Sequence, residues 1–304
     1  MIIDPSEKRG SNLVERAELA SCMAELARRH EDAYSRWRDG VGRPPRVAAI
    51  SFDLDDTLWP TMPPLIAAGA VRDASLRDKL PSAHAAGALS PQALRAKSVE
   101  VSQREPLLAH DFTALQRVAL ASIAAEHGDD VAAVDAVLDA FLQARSDTYS
   151  HWYDDAASTL RNLRSGLGLV VGSITNGNCD VRRHESLSEH FDFAVTAADA
   201  GAAKPHVAPF LFAAAAAGCR PSELIHVGDD KSTDLEGALA AGCRAILVAR
   251  PADDSADVSS QEQSTADEVT LPTPNPTRWR TVASLTEAVD VIRAWKTADA
   301  ASVE

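Results

Sequence analysis

Residues 47–59 read Val-Ala-Ala-Ile-Ser-Phe-Asp-Leu-Asp-Asp-Thr-Leu-Trp, an apolar run that ends in a cluster of carboxylates. The run from Val47 to Phe52 predicts a short strand buried on both faces, as in a parallel sheet. Asp53 and Asp55 follow it, and residues two apart in an extended chain point the same way. Two adjacent carboxylates repel each other unless a cation or a proton lies between them. Mg²⁺ is the expected cation, because it takes oxygen ligands and keeps positions open for a phosphate.

The same stretch also has a purely structural interpretation. A strand followed by an Asp-rich turn, with Asp56 or Thr57 capping a helix, would have a similar sequence. The pattern Asp-x-Asp-x-Thr occurs by chance in roughly one chain of this length in ~20. The choice between the two interpretations therefore depends on the remaining residues.

The composition is that of an ordinary globular protein. The chain has 304 residues, of which 45% are hydrophobic and 24% charged, and this length allows one large domain or two modest ones. The net charge of −14 argues against nucleic acid or an anionic membrane as the main partner. The four cysteines are scattered, which indicates reduced thiols. Without an apolar signal core or a membrane-spanning run, we expect a cytoplasmic protein, with an organelle as the alternative. The sequence leaves the oligomeric state open.

Strands and helices alternate along most of the chain, which predicts an α/β fold with a doubly wound parallel sheet. After the first strand, further strands are expected at 167–174, 193–196, 224–227 and 245–248, the last of which completes the sheet. An alanine-rich helical stretch interrupts this pattern and predicts a cap inserted over the carboxyl end of the first strand. Within it, helices are expected to be capped by Ser90, by Asp111, and by Asp129 or Asp130.

These interruptions divide the chain into five parts. We expect an N-terminal helical extension at 1–46, the α/β core at 47–60 and 151–250, the helical cap at 61–150, an acidic flexible segment at 251–280, and a C-terminal helix packed on the core at 281–304.

Four groups of polar residues fall at predicted strand ends or in the adjoining loops. They are Asp53 with Asp55, Thr175 with Asn176, Lys204, and Asp229 with Asp230 and Asp234. A doubly wound sheet brings such ends together on one rim. Each group alone is typical of a turn or a surface, but the ordered set suits phosphoryl transfer through an aspartyl phosphate. His226, inside a predicted strand, is expected to be a core histidine and not a ligand.

The chemistry suggests roles for the charged residues. Asp53 would attack phosphorus and, with Asp229, would hold Mg²⁺, while Lys204 would offset the remaining negative charge. Asp55 would protonate the leaving oxygen and later deprotonate the attacking water. The backbone carbonyl of Asp55 would also ligate the metal.

Four further polar residues are expected to bind the phosphoryl oxygens or the water on the metal. The Thr175 hydroxyl and the Asn176 backbone N–H would hold the phosphoryl oxygens. Asp230 and Asp234 would act as outer-shell groups on metal-bound water.

The ordered motifs resemble those of the haloacid dehalogenase superfamily. The resemblance rests on residues 53–58, 174–176, 204–205 and 228–234 and covers the chain from 47 to about 250. The helical stretch between the first two motifs implies the helical-cap subclass. The family's dehalogenases and its carbon–phosphorus-cleaving members lack an acid at the position of Asp55, and its ion-pumping ATPases carry a lysine where this chain has Leu54. A phosphatase or a phosphomutase remains.

A narrower resemblance concerns the substrate. Residues 174–178, 226–230, 105–106 and 110–113 are similar to a branch of phosphatases that act on FMN and on the phosphorylated pyrimidine intermediate of riboflavin synthesis. It implies a Mg²⁺-dependent phosphomonoester phosphatase acting on such a small phosphorylated metabolite. The alternatives are a phosphatase for another phosphometabolite, a phosphomutase, or a non-catalytic regulatory protein on this fold. Candidate cap residues for reading the substrate are Arg95, Lys97, Arg104 and His110.

Overall fold

A computed structural model describes residues 46–251 and 275–301. Within these residues the strands are β1 (Ala49–Phe52), β2 (Val170–Thr175), β3 (Phe193–Thr196), β4 (Leu224–Gly228), β5 (Arg244–Val248) and β6 (Trp279–Val282). They form one sheet in the order β3-β2-β1-β4-β5-β6, and every pairing is parallel. This sheet, with helices around it, confirms the predicted fold class. The predicted N-terminal helix and most of the acidic segment lie outside the described residues.

β1 lies in the middle of the sheet because its side chains suit burial on both faces. Ile50 is paired with Val171 on one side and Ile225 on the other. Ile50 and Phe52 enter one apolar cluster, whereas Ala49 enters another, as alternation along a strand requires. The carboxyl ends of β2, β1 and β4 therefore lie side by side.

Helices surround the sheet and fill the interval between β1 and β2. In that interval lie α1 (Met62–Lys79), α2 (Pro81–Ala85), α3 (Pro91–Arg104), α4 (Phe112–His127) and α5 (Ala133–Arg145). We call residues 62–145 the helical block; it has apolar clusters of its own. The remaining helices are α6 (Ala156–Arg161), α7 (Glu185–Ser188), α8 (Ala197–Ala200), α9 (Ala208–Ala217), α10 (Gly237–Ala240) and α11 (Leu285–Ala301). Across the described ranges, none of the helices combines the length and apolarity that a membrane crossing needs.

Two of the three predicted helix caps form. Ser90 Oγ accepts a hydrogen bond from the backbone at the start of α3, and Asp111 does so for α4. The cap predicted at Asp129 or Asp130 is wrong. Asp129 instead accepts from two backbone N–H groups of α2, at 3.0 and 2.8 Å, and Asp130 accepts from Ala132 in the preceding turn. The N–H groups of α2, a helix of one turn, leave Asp129 unavailable to α5.

The strand predicted at 245–248 forms as β5, but the prediction that it is the last strand is wrong. β6 extends the sheet beyond β5, with Trp279 paired with Ala245 and Val282 with Val248. β6 has only four residues, and the sequence before it is acidic and contains prolines, so no strand pattern marks it. The predicted boundary at residue 280 therefore falls inside a strand.

Candidate active site

The predicted groups meet at the carboxyl ends of β1, β2 and β4. Asp53 directly follows β1, and its backbone N–H donates to Val227 O in β4 at 2.8 Å. Thr175 ends β2, and Asp229 directly follows β4. Carboxylate oxygens of Asp53, Asp229 and Asp234 all lie within 4.8 Å of one another. The fold thus concentrates negative charge at one edge of the sheet.

Lys204 joins two of these carboxylates. Its Nζ donates to Asp53 Oδ1 and to Asp234 Oδ1, each at 2.6 Å, and to Ile174 O at 3.0 Å. The side chain is only 2% exposed. Burial opposes the charged amine, but the two carboxylates outweigh it and raise the pKa of Lys204. Lys204 is therefore a permanent cation of the cluster.

Asn176 fixes the backbone that carries this lysine. Its Nδ2 donates to Lys204 O at 2.8 Å, and Lys204 N donates to Asn176 Oδ1 at 2.7 Å. In the same loop, Gly177 N donates to Thr175 Oγ1 at 3.0 Å. The amide side chain of Asn176 thus has a structural part that the sequence did not suggest, while the predicted phosphate contacts of Thr175 and Asn176 stay predictions.

The pKa values of Asp53 and Asp234 move in opposite directions. Burial raises the pKa of Asp53 well above its usual value, and Lys204 only partly offsets this. Burial also acts to raise the pKa of Asp234, but Lys204 and His226 outweigh it and hold that pKa well below its usual range. His226 is fully buried between Ser51 Oγ (2.9 Å) and Asp234 Oδ1 (3.0 Å), and burial lowers its pKa. It is a core histidine, as predicted, that also supports Asp234.

Asp229 lies on the other side of the cluster. Its Oδ1 accepts from Thr57 Oγ1 at 2.9 Å. Burial, followed by the charge of Asp234, raises the pKa of Asp229 to about 6. Carboxylates that repel each other in this way fit a hard divalent cation, which would relieve the repulsion.

The neighbouring acids Asp56 and Asp230 each accept two hydrogen bonds from a nearby threonine. Asp56 accepts from the backbone N–H and the hydroxyl of Thr61. Thr61 is the N-cap residue of α1, so the helix cap expected at Asp56 or Thr57 does not form. Asp230 Oδ1 accepts from Thr233 N at 2.6 Å and Thr233 Oγ1 at 3.0 Å. The outer-shell role of Asp230 stays a prediction.

Asp55 contacts the helical block. Both of its oxygens lie 2.5 Å from Arg145 Nη2, and its Oδ1 accepts from Trp59 Nε1 at 3.0 Å. Arg145 is the last residue of α5 and is 2% exposed. Sequence reasoning missed it, because a basic residue in the last turn of a helix is ordinary. The available signal was its position on the apolar stripe of α5 that includes Leu138 and Leu142, where a charge requires a partner.

A cavity of about 240 Å³ lies between the helical block, the loop after β2 and the start of α8, and Asn176 is the predicted site residue that lines it. The block contributes His110 and Phe112, and the loop after β2 contributes Asn176 and Gly177.

The other candidate cap residues lie elsewhere. Arg95 lines a separate cavity inside the block. Lys97 and Arg104 form ion pairs with glutamates of the block.

The parallel sheet, with carboxylates and a buried lysine at its carboxyl edge, defines an α/β protein with its site on the rim. The family model described as haloacid dehalogenase-like hydrolase matches residues 47–242. The chain belongs to this hydrolase family.

Relatives of known name carry out different reactions. The 5-amino-6-(5-phospho-D-ribitylamino)uracil phosphatase YigB of Escherichia coli is 29% identical over 209 residues, which cover 67% of this chain and 84% of the relative. The ribulose-1,5-bisphosphate 5-phosphatase of Halopiger xanaduensis is 28% identical over 66% of this chain and 84% of its own length. The solved structure of a 2-haloacid dehalogenase from Pseudomonas syringae is 30% identical, with a TM-score of 0.65 over 82% of this chain and 99% of that one. The family therefore fixes a hydrolase fold but leaves the substrate open.

Proposed function

We propose that the protein is a Mg²⁺-dependent phosphomonoester phosphatase that forms an aspartyl phosphate on Asp53. One observation carries this proposal: two carboxylates, Asp53 and Asp55, lie two residues apart at the same edge, each held by a buried cation, Lys204 or Arg145. A nucleophile and a separate acid are what hydrolysis of a phosphomonoester needs. The acid also distinguishes this chain from the family's dehalogenases, in which that position is not acidic.

In the proposed reaction, an oxygen of Asp53 attacks phosphorus and the bond to the leaving oxygen breaks. Asp55 gives its proton to the leaving oxygen, and then takes a proton from the water that attacks the aspartyl phosphate. That second attack releases inorganic phosphate and regenerates Asp53. Lys204, the Thr175 hydroxyl and the Asn176 backbone N–H stabilise the charge on the phosphoryl oxygens.

The carboxylates of Asp53 and Asp229 and the backbone carbonyl of Asp55 would hold Mg²⁺. Bound there, the cation would supply positive charge against the phosphoryl oxygens. Asp234 lies near this set and is paired with Lys204, so we assign it to positioning that lysine. Its outer-shell role on metal-bound water stays a prediction.

We infer that the substrate is FMN or a phosphorylated riboflavin precursor. The named activity of the Escherichia coli relative and the resemblance of residues 105–106 and 110–113 to that branch support this assignment. Phe112 adds a physical argument, because it lines the cavity and is 52% exposed. An exposed aromatic ring in a cleft suits stacking on a flavin or pyrimidine ring.

The test is release of inorganic phosphate from a panel of phosphomonoesters that includes FMN, the phosphorylated ribitylaminouracil and sugar phosphates, first with Mg²⁺ and then with EDTA. Asp53→Asn and the matched Asp78→Asn, which changes an exposed helix carboxylate, are measured beside the wild type. We expect EDTA-sensitive release that falls by more than about 10³-fold in Asp53→Asn and is unchanged in Asp78→Asn.

Each other result has a distinct meaning. Activity retained in Asp53→Asn would exclude Asp53 as the nucleophile. A clear preference for a substrate unrelated to riboflavin would reject the substrate and keep the mechanism. The absence of any phosphate release would favour a phosphomutase or a regulatory protein.

A further inference from the structure

Arg145 is a buried cation with most of its hydrogen-bonding capacity unused. Its Nη2 contacts both oxygens of Asp55 at 2.5 Å. Its Nε and Nη1 are buried and have no hydrogen-bond partner. The side chain is 2% exposed, so bulk solvent does not satisfy these groups.

Such an arrangement is unusual for an arginine whose only function is to hold a carboxylate. A guanidinium normally meets a carboxylate with two nitrogens side by side, whereas Asp55 uses one. Buried N–H groups without acceptors are destabilising, and they are commonly explained by an absent partner. Arg145 Nε and Nη1 therefore keep donors for a second acceptor that binds Arg145 together with Asp55.

The surroundings indicate what this acceptor is. A side chain starting at Gly177 would lie 3.0 Å from Asp55 Oδ2 and 3.4 Å from Thr175 Oγ1. Asp55 and its arginine thus adjoin the loop proposed to hold phosphoryl oxygens. A substrate oxygen that receives a proton from Asp55 must also come close to Arg145.

The charges around Arg145 also indicate that the acceptor is the phosphoryl group of the substrate. Asp53, Asp55 and Asp229 meet a phosphoryl dianion in the proposed reaction, where Lys204 contacts Asp53 and Arg145 contacts Asp55. A second fixed cation beside Asp55 reduces the repulsion of that dianion. Arginine is suited to this task, because it stays charged and presents several donors in one plane.

We propose that Arg145 is a substrate-binding residue contributed by the helical block, whose Nε–H and Nη1–H donate to oxygens of the phosphoryl group while Nη2 holds Asp55. This inference rests on the proposed function. It makes the helical block a participant in phosphoryl binding as well as a wall of the cavity.

The test measures binding of inorganic phosphate, with Mg²⁺ present, by calorimetry on the full chain carrying Asp53→Asn, which prevents turnover. Arg145→Met and Arg145→Lys are each added to this background. We expect phosphate affinity to fall about 10- to 100-fold in Arg145→Met, the effect of losing hydrogen bonds to a charged group. Arg145→Lys keeps the charge but loses the planar donors, so its affinity should fall less than that of Arg145→Met.

The matched control is Arg72→Met. Arg72 is also in the helical block, where it pairs with Asp73 and lies over the ring of Phe141. Phosphate affinity should not change in this variant. Thermal unfolding is followed for every protein. If Arg145→Met does not fold, the phosphate affinity of Arg145→Lys is compared with that of its parent instead.

An Arg145 variant that unfolds cooperatively and binds phosphate as tightly as its parent would overturn this inference. The proposed function would survive that result, provided that the wild type still releases phosphate from a monoester. Failure of the proposed function is a separate result. In that case the wild type releases no phosphate from any monoester, whether or not the Arg145 variants bind phosphate more weakly.

Discussion

At the scale of single residues, Asp229 gives the site a dependence on pH. Burial and Asp234 raise its pKa from 3.8 to about 6 in the folded protein. Between these values the native carboxyl holds a proton that the unfolded chain has lost. The contribution of Asp229 to the stability of the metal-free protein therefore falls as pH rises through this window. A cation at the cluster reverses this trend, because it binds the ionised carboxylate.

We expect Mg²⁺ to raise the melting temperature more at about pH 7.5 than at about pH 5, because protons compete with the metal below the raised pKa of Asp229. Differential scanning calorimetry at both pH values, with and without Mg²⁺, measures the effect. Asp229→Asn should remove most of it, whereas Asp78→Asn should not. Equal shifts at the two pH values in the wild type would mean that Asp229 is not part of the metal site.

Sequence reasoning identified which residues gather at this edge better than it identified how they are paired. Asp53, Lys204 and Asp229 were predictable, because the ends of parallel strands share one rim. The contact of Arg145 with Asp55 joins residues 90 positions apart, and nothing local in either sequence indicates it. The reciprocal bonds between Asn176 and Lys204 depend in the same way on tertiary distance. Pairing is a property of the packed chain, so motif order alone cannot supply it.

At the scale of elements, the end of β4 depends on the absence of a side chain. A Cβ at Gly228 would lie 2.2 Å from Asp234 Cγ. Asp234 cannot easily move away, because Lys204 and His226 both hold it. The turn from β4 into the acidic loop therefore needs glycine for reasons of space.

We expect Gly228→Ala to lower the free energy of unfolding by about 1–3 kcal/mol, the usual effect of forcing extra volume into a packed site. The matched substitution is Gly69→Ala in α1, where the added methyl meets nothing within 4 Å. That variant should be up to about 1 kcal/mol more stable than the wild type, because alanine is the better helix former. Urea denaturation of both variants measures the difference. Similar effects of the two substitutions would show that Asp234 yields easily.

Element boundaries followed the sequence only where the apolar pattern was undisturbed. The strand at 193–196 was predicted with the bounds that the structure gives. The strand expected from residue 167 instead begins at Val170, since Gly168 has a φ of +64° and turns the chain just before it. β6 was missed because pairing with β5, and not its own four residues, makes it a strand.

At the scale of the whole molecule, the sheet lies between two apolar layers, and each layer contains at least one buried cysteine. Cys179 lies in the layer that contains Ile50 and Phe52, whereas Cys219 and Cys243 lie in the layer that contains Ala49. All three are buried, and burial raises the pKa of each thiol to about 12. At neutral pH these thiols are neutral and shielded, so a thiol reagent reaches them only when the structure opens.

The rates of thiol labelling therefore test whether the two layers open together. Because β1 contributes side chains to both layers, we expect Cys179, Cys219 and Cys243 to react at similar rates in low urea, as for one cooperative unit. Mass mapping of labelled peptides measures each rate and reads Cys22, which lies outside the described residues, separately. Mg²⁺ should slow all three cysteines equally if it binds only the native state. Much faster labelling of Cys179 alone would contradict a single unit. Since Cys179 follows the loop that carries Thr175 and Asn176, that result would locate the least stable part of the molecule beside the candidate active site.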